Sequence, residues 1–200
     1  MLDLDDPSSY ALLASSGTYL LPGGPLSDDH AQMGELRAAM ALLGFKSKHV
    51  ASIFSLLTAI LLLGNLEFSD NGAYDLSDES ATVKNPLVLN EIASLLGVSA
   101  ESLESSLTNK TKYIRREVAS GFLNAAGAEV QRDSLVRDLY AILFAWVVES
   151  ANQKLTPEEP SITHITLFDQ PGMQSRTPTG SPGSPVQAPL ITANGQNGFE

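Results

Sequence analysis

The sequence predicts an α/β chain that is mainly helical, with few strands. Three observations lead there. Apolar residues recur at helical spacing in successive stretches, each opened by a capping residue and closed by Gly or Pro. Strand-like alternation is confined to short runs. One such run, Ile162 to Gln174, reads as a buried β-strand that delivers Asp169 into a Pro-Gly turn. The upstream helices are expected to pack around that strand.

Taken in order, residues 1–26 form an irregular entry segment, with one helical turn at Tyr10 to Leu13. Pro22, Gly23, Gly24 and Pro25 break regular structure. Ser27 is a candidate N-cap, with Asp28 and Asp29 in the first turn, where the helix dipole favours negative charge. Met33, Leu36, Met40 and Leu43 follow at helical spacing, and Gly44 stops the helix. Ser47 opens the next helix. Val50, Ile53, Phe54, Leu57, Ile60 and Leu61 line a broad face, and Leu56, Leu62 and Leu63 cover much of the rest, so protein should surround it. Gly64 is its C-terminal glycine. Leu66 and Phe68 alternate as a short strand or extended exit, and 69–84 reads as an acidic surface loop.

Asn85-Pro86 is a strong helix start. Leu89, Ile92, Ala93 and Leu96 give its buried stripe, and Gly97 ends it. Ser99 caps the following short helix, with Val98 and Leu103 placed for a hydrophobic staple. Lys110 to Leu123 reads as two strands around Arg115-Arg116-Glu117, the second weakened by Gly121. The longest helix spans about Ala126 to Lys154. Its stripe of Val130, Leu135, Val136, Leu139, Tyr140, Leu143, Trp146 and Val147 reads as core, and Arg132-Asp133 and Arg137-Asp138 as a solvated face. Pro157 and Pro160 terminate it. After Gln174 the chain is a Ser/Pro/Gly-rich loop, 175–194.

Bulk properties narrow the partners. The chain has 200 residues, 43% of them hydrophobic, enough for one core or for a piece of a larger one. A net charge of −11 argues against nucleic acid, which requires basic residues to release counterions. The basic run Lys110, Lys112, Arg115 and Arg116 reads as a solvated hairpin. There is no cysteine, so disulfides and thiolate metal sites are excluded. His30, His49 and His164 lie far apart, without ligand spacing. The acidic N-terminus lacks the basic region of a secretory signal. The most apolar run, Leu56 to Leu63, is too short to cross a bilayer and reads as a core helix, so no membrane contact is expected from this segment.

On spacing alone, Asp169 is more simply an ordinary strand-to-turn exit than a catalytic group. Longer stretches change its meaning. Leu36 to Phe45, Ile53 to Phe68, Ile92 to Val98 and Arg132 to Asn152 resemble, in order and approximate spacing, the upper 50-kDa region of the myosin motor domain. Asp5 to Gly17, Asp138 to Phe144 and Asp169 to Gln174 are similar to the myosin-like head of fungal chitin synthases. The resemblance implies part of a myosin-motor, P-loop NTPase-like fold. Residues 27–174 would be the motor-like region ending in switch II, and 195–200 the start of a relay-like helix.

It further implies ATP and magnesium as cofactors of the complete head, and none for this chain alone. Asp169 would help organise the magnesium shell, indirectly, and the Gly172 amide would approach the γ-phosphate, since a hard cation takes oxygen ligands and a residue without a side chain admits phosphate. Gln174 stands where conventional myosins have a glutamate that pairs with an arginine of switch I; a neutral amide cannot form that ion pair. Met173 replaces the usual phenylalanine. No Gly-x-x-x-x-Gly-Lys-Ser/Thr occurs in the chain, nor an Asn-Asn-Ser-Ser-Arg-like switch I.

Two functions follow from the resemblance. One is an ATP- and actin-linked motor or targeting head supporting cell-wall chitin synthesis. The other is a degenerate, non-hydrolysing structural or targeting module. The remaining partners would be the rest of the chitin synthase polypeptide, and actin through regions outside this chain. The location would be the cytoplasmic face of a protein in the plasma membrane or secretory vesicles at growth sites. For the chain by itself, neither ATP turnover nor glycosyl transfer is expected. As a segment it should lack sheet partners and expose strand edges.

Overall fold

The computed structural model describes residues 4–16, 28–70, 80–114, 117–157, 163 and 165–167. Two long helices frame it: α3 (Ser47–Gly64) and α6 (Ala125–Leu155) pack against each other. Between them and the chain's middle lie α4 (Pro86–Leu96) and α5 (Ala100–Thr108). Two antiparallel hairpins complete the frame: β1 (Phe68–Asp70) with β2 (Ala81–Val83), and β3 (Asn109–Ile114) with β4 (Glu117–Phe122). Ahead of α3 stand a 3-10 turn at Pro7–Ser9, α1 (Ala11–Ser16) and α2 (Asp29–Leu42). The described residues are thus mostly helical, with a few short strands.

The main core gathers Ala59, Leu63, Leu66, Phe68, Leu89, Ile92, Leu103 and Leu107, with Ala128 of α6 buried among them. Leu135, Val136 and Leu139 of α6 pack on its edge. A smaller cluster joins Met40 of α2, Ile53 of α3 and Leu143 of α6. By length and composition α3 could cross a bilayer, because 18 residues span about 27 Å at the helical rise. Here it is a core helix, burying Ile53, Thr58, Ala59, Ile60 and Leu63, and the Thr58 hydroxyl is satisfied by donating to the Phe54 carbonyl at 2.9 Å.

Most element boundaries follow local chemistry. Asn85 precedes Pro86 at the start of α4, and Gly97 ends that helix in the left-handed region at φ 71°, where a Cβ is unfavourable. Ser99 caps α5 by accepting from the Ser102 amide at 3.2 Å. Asn124 caps α6 by accepting from the Gly127 amide at 2.9 Å. In the second hairpin Ile114 pairs with Glu117, and Arg115 and Arg116 between them lie outside the described residues.

Several expectations need correction. The N-cap of α2 is Asp28, whose carboxylate accepts from the Ala31 amide at 3.0 Å; the helix begins one residue later than Ser27 would place it. The stretch 69–84 is not loop throughout, because Ala81–Val83 pairs with β1. Tyr10 to Leu13 is more than one turn, and Tyr10 is buried. Val98 stays exposed, so only Leu103 of the expected staple is buried. The apolar stripe of α6 is only partly core, with Val130, Tyr140 and Trp146 remaining exposed.

The opening expectation also changes. Thr163 and residues 165–167 form no strand, and Ile165 and Leu167 are 93% and 88% exposed. A strand needs a neighbour to pair its amides and carbonyls, and the described strands all belong to the two hairpins.

Candidate functional site

Asp169, Gly172 and Gln174 lie outside the described residues. Gln174's neighbour Met173 and the stretches 175–194 and 195–200 do so as well. What the structure provides is the frame that precedes them. Helix α6 closes with the Thr156 amide donating to the Asn152 carbonyl at 2.9 Å. Pro157 follows, where the missing N–H cannot continue the ladder.

The densest polar arrangement sits at the other end of the frame, where α3 turns into β1. Asn65 caps α3 and reaches back to the entry segment. Its Oδ1 accepts from the Ala11 amide at 2.8 Å, and its Nδ2 donates to the Ser9 carbonyl at 2.9 Å. Asn85 grips the same junction from the start of α4. Its Nδ2 donates to the Asn65 carbonyl at 2.9 Å, and its Oδ1 accepts from the Glu67 amide at 3.2 Å. Arg132 of α6 completes the set: its Nη1 donates to the Leu66 carbonyl at 2.6 Å, while Nε and Nη2 hold Asp133. Asn85 therefore marks the helix start, as its place before proline suggested, but its side chain works on 65–67. Arg132 is a largely buried strap, not part of a solvated face.

The sequence carried only faint signals for these three residues. An asparagine after the closing glycine of an apolar helix is one. A cap asparagine before proline is another. The distance from Arg132 to Leu66, 66 residues in sequence, left no local mark.

Grooves flank the frame among the described residues. One is open and polar, lined by Ser102, Ser105, Asn109, Lys110, Phe122 and Gln131 among others. Gln131 is committed there, donating to the carbonyls of Ser106 and Asn109. Another, of about 450 Å³, is lined by Leu12, Leu57, Ile60, Leu61, Val136, Arg137 and Tyr140.

Among the described residues no group of three or more His, Asp or Glu side chains could hold a metal ion. His49 meets the edge of Trp146, with ring centroids 6.1 Å apart, which is a packing contact. The acidity of Asp6 is displaced. The Ser8 hydroxyl and then the Ser8 amide bond its carboxylate and hold it below the ordinary aspartate value. This arrangement can fasten helices and strands together.

Comparison with known proteins supplies the family. The family model of the myosin head (motor domain) matches residues 1–175. Chitin synthase 8 of Mycosarcoma maydis is 46% identical over 151 residues, which is 74% of this chain and 7% of that protein. Chitin synthase 5 of Cryptococcus neoformans var. grubii is 41% identical over 157 residues, 78% of this chain and 8% of its own length. Chitin synthase V of Metarhizium acridum is 39% identical over 158 residues, 72% of this chain and 8% of that protein. The chain thus spans less than a tenth of the length of these relatives. It belongs to the myosin head (motor domain) family, in the myosin-motor-like form that it shares with fungal chitin synthases.

Proposed function

We propose that this chain is a framework segment of the motor-like head of a fungal chitin synthase, contributing to an ATP- and actin-linked motor or targeting activity that supports cell-wall chitin synthesis. The observation that carries the proposal is the second half of α6. Ile142 and Phe144 are 68% and 60% exposed there, beside Tyr140, Trp146 and Val148. The stretch Tyr140 to Val148 is apolar throughout; a helical stretch apolar on all sides is normally surrounded by protein, and a complete head would supply it. In this reading the helices belong to a P-loop NTPase-like fold whose phosphate cradle comes from another part of the polypeptide.

Asp169 would then contribute to the magnesium shell and Gly172 to the approach of the γ-phosphate. A hard divalent cation takes six or more oxygen ligands, so Asp169 is at most one part of such a site. Actin would be met by regions outside this segment, and the head would lie at the cytoplasmic face of a membrane-held synthase.

The test is magnesium-dependent ATP hydrolysis by the purified chain. No turnover is expected, and turnover abolished by Asp169→Ala would overturn the assignment of this segment as framework. A second reading is favoured by Gln174, which cannot form the ion pair of a glutamate. In it the head is a non-hydrolysing structural or targeting module. Asp169→Ala in the complete polypeptide separates the two: loss of ATP turnover supports the motor, and unchanged targeting without any measurable turnover supports the module.

A further inference from the structure

The entry segment and α3 meet through a small set of contacts. The Asn65 amide takes both hydrogen bonds already described, to Ala11 and Ser9. Leu12 lies directly on Gly64: a methyl group added there would stand 2.6 Å from the Leu12 Cγ. Within the segment, the Tyr10 hydroxyl accepts from the Asp5 amide at 3.2 Å, and the Tyr10 carbonyl accepts from the amides of Leu13 and Ala14 at 3.0 and 2.9 Å. The segment is thus well organised internally and docked on the C-terminal half of α3, with Tyr10 buried and Leu12 beside Leu57, Ile60 and Leu61. Helices α3, α4, α5 and α6, by contrast, share a continuous buried core.

Leu12 is also one wall of the apolar groove between α3 and α6, opposite Leu57, Ile60, Val136 and Tyr140. Detaching the segment would widen that groove and bare apolar surface on both framing helices.

We infer that residues 4–16 form a releasable strap, latched by Asn65 and seated on Gly64, whose opening widens the apolar groove between α3 and α6 while the core stays folded. Local opening of a unit held by few contacts needs less free energy than global unfolding. The strap amides of Leu13 and Ala14 should therefore exchange with solvent faster than those of Ile92 and Ala93. Their rates should also be less sensitive to low concentrations of urea, because less surface is exposed on opening than on unfolding of the core.

Hydrogen exchange read by NMR or mass spectrometry on the full 200-residue chain tests this. Asn65→Ala should speed exchange of the strap amides roughly ten- to a hundredfold, matching two ordinary hydrogen bonds, with Ile92 and Ala93 essentially unchanged. Gly64→Ala should act in the same direction by pushing Leu12 away, and it leaves the Asn65 amide intact. Both variants should bind more of an apolar fluorescent dye. Equal exchange of strap and core in the unaltered chain would overturn the inference, and that measurement requires no variant to fold. So would equal acceleration of strap and core in both variants.

Discussion

The two halves of α6 have the same secondary structure and different fates. From Ala125 to Leu139 the helix lays one face on the main core: Ala128 is buried, and Leu135, Val136 and Leu139 pack beside it. Arg132 then anchors it to the α3–β1 junction. From Tyr140 to Leu155 it again buries one face, through Leu143 with Val147 beside it. There the remaining faces carry Ile142, Phe144, Trp146 and Val148, which stay exposed. Tyr140 and Phe144 stack on each other, 6.4 Å between ring centroids, one turn apart. Burial is therefore set by neighbours, and the second half has more apolar surface than the described neighbours cover.

The largest expected effect lies in the covered half's core. Ile92→Ala removes a fully buried side chain and should lower stability by about 2–5 kcal/mol, from lost transfer energy and the cavity left behind. A urea titration measures it; a midpoint unchanged from the parent chain would show that this core is not closed. Next comes Arg132→Met. It keeps an unbranched stem but leaves the Leu66 carbonyl without its guanidinium donor, a loss of about 1–3 kcal/mol. The same titration should show it, and a loss no larger than an exposed substitution gives would place Arg132 back on the solvated face.

The uncovered half should respond otherwise. Ile142→Ser in the isolated chain should change stability by no more than about 0.5 kcal/mol, while reducing self-association measured by light scattering. A loss comparable to that of Ile92→Ala would mean that this face is covered in solution, and the contrast between the halves would fall.

The smallest effect belongs to neither half. Ser8 holds the Asp6 carboxyl below the ordinary aspartate value. A carboxyl depressed in the folded state contributes stability above its unfolded value, and that contribution is lost as pH falls through the lower, folded one. Acidification through the aspartate range should therefore loosen the Pro7–Ser9 turn, seen as a lower protection of the Ser8 amide relative to its intrinsic exchange rate at each pH. Asp6→Asn should remove that pH dependence and leave α6 unaffected.

Much of the helical order was legible because helix signals are local. Pro86, Gly97 and Ser99 each act within a few residues of themselves, so α4 and α5 could be placed from the sequence. The hairpin around Arg115-Arg116 was legible for the same reason. Strand β2 was not. Ala81-Thr-Val83 is three residues long, and its partner β1 lies beyond the acidic stretch between them. Gly64 is the last residue of α3, as its place in the sequence suggests, and the cap that follows, Asn65, has ordinary right-handed geometry. The glycine's contribution there is to admit Leu12. Of the expected nucleotide site, the sequence names Asp169, Gly172 and Gln174 and the family names their context, while the described residues stop short of all three.

What the sequence by itself determined is the series of helices, several of their boundaries and the family, because each rests on residues close together or on long runs in fixed order. What only the tertiary structure decided is which apolar faces are covered and which polar side chains bind distant backbone. Asn65 reaching Ser9, Asn85 holding Glu67 and Arg132 reaching Leu66 each join residues that the chain brings together only by folding. Periodicity shows that a face is apolar. Whether that face is buried depends on a neighbour, and α6 has one for its first half and part of one for its second.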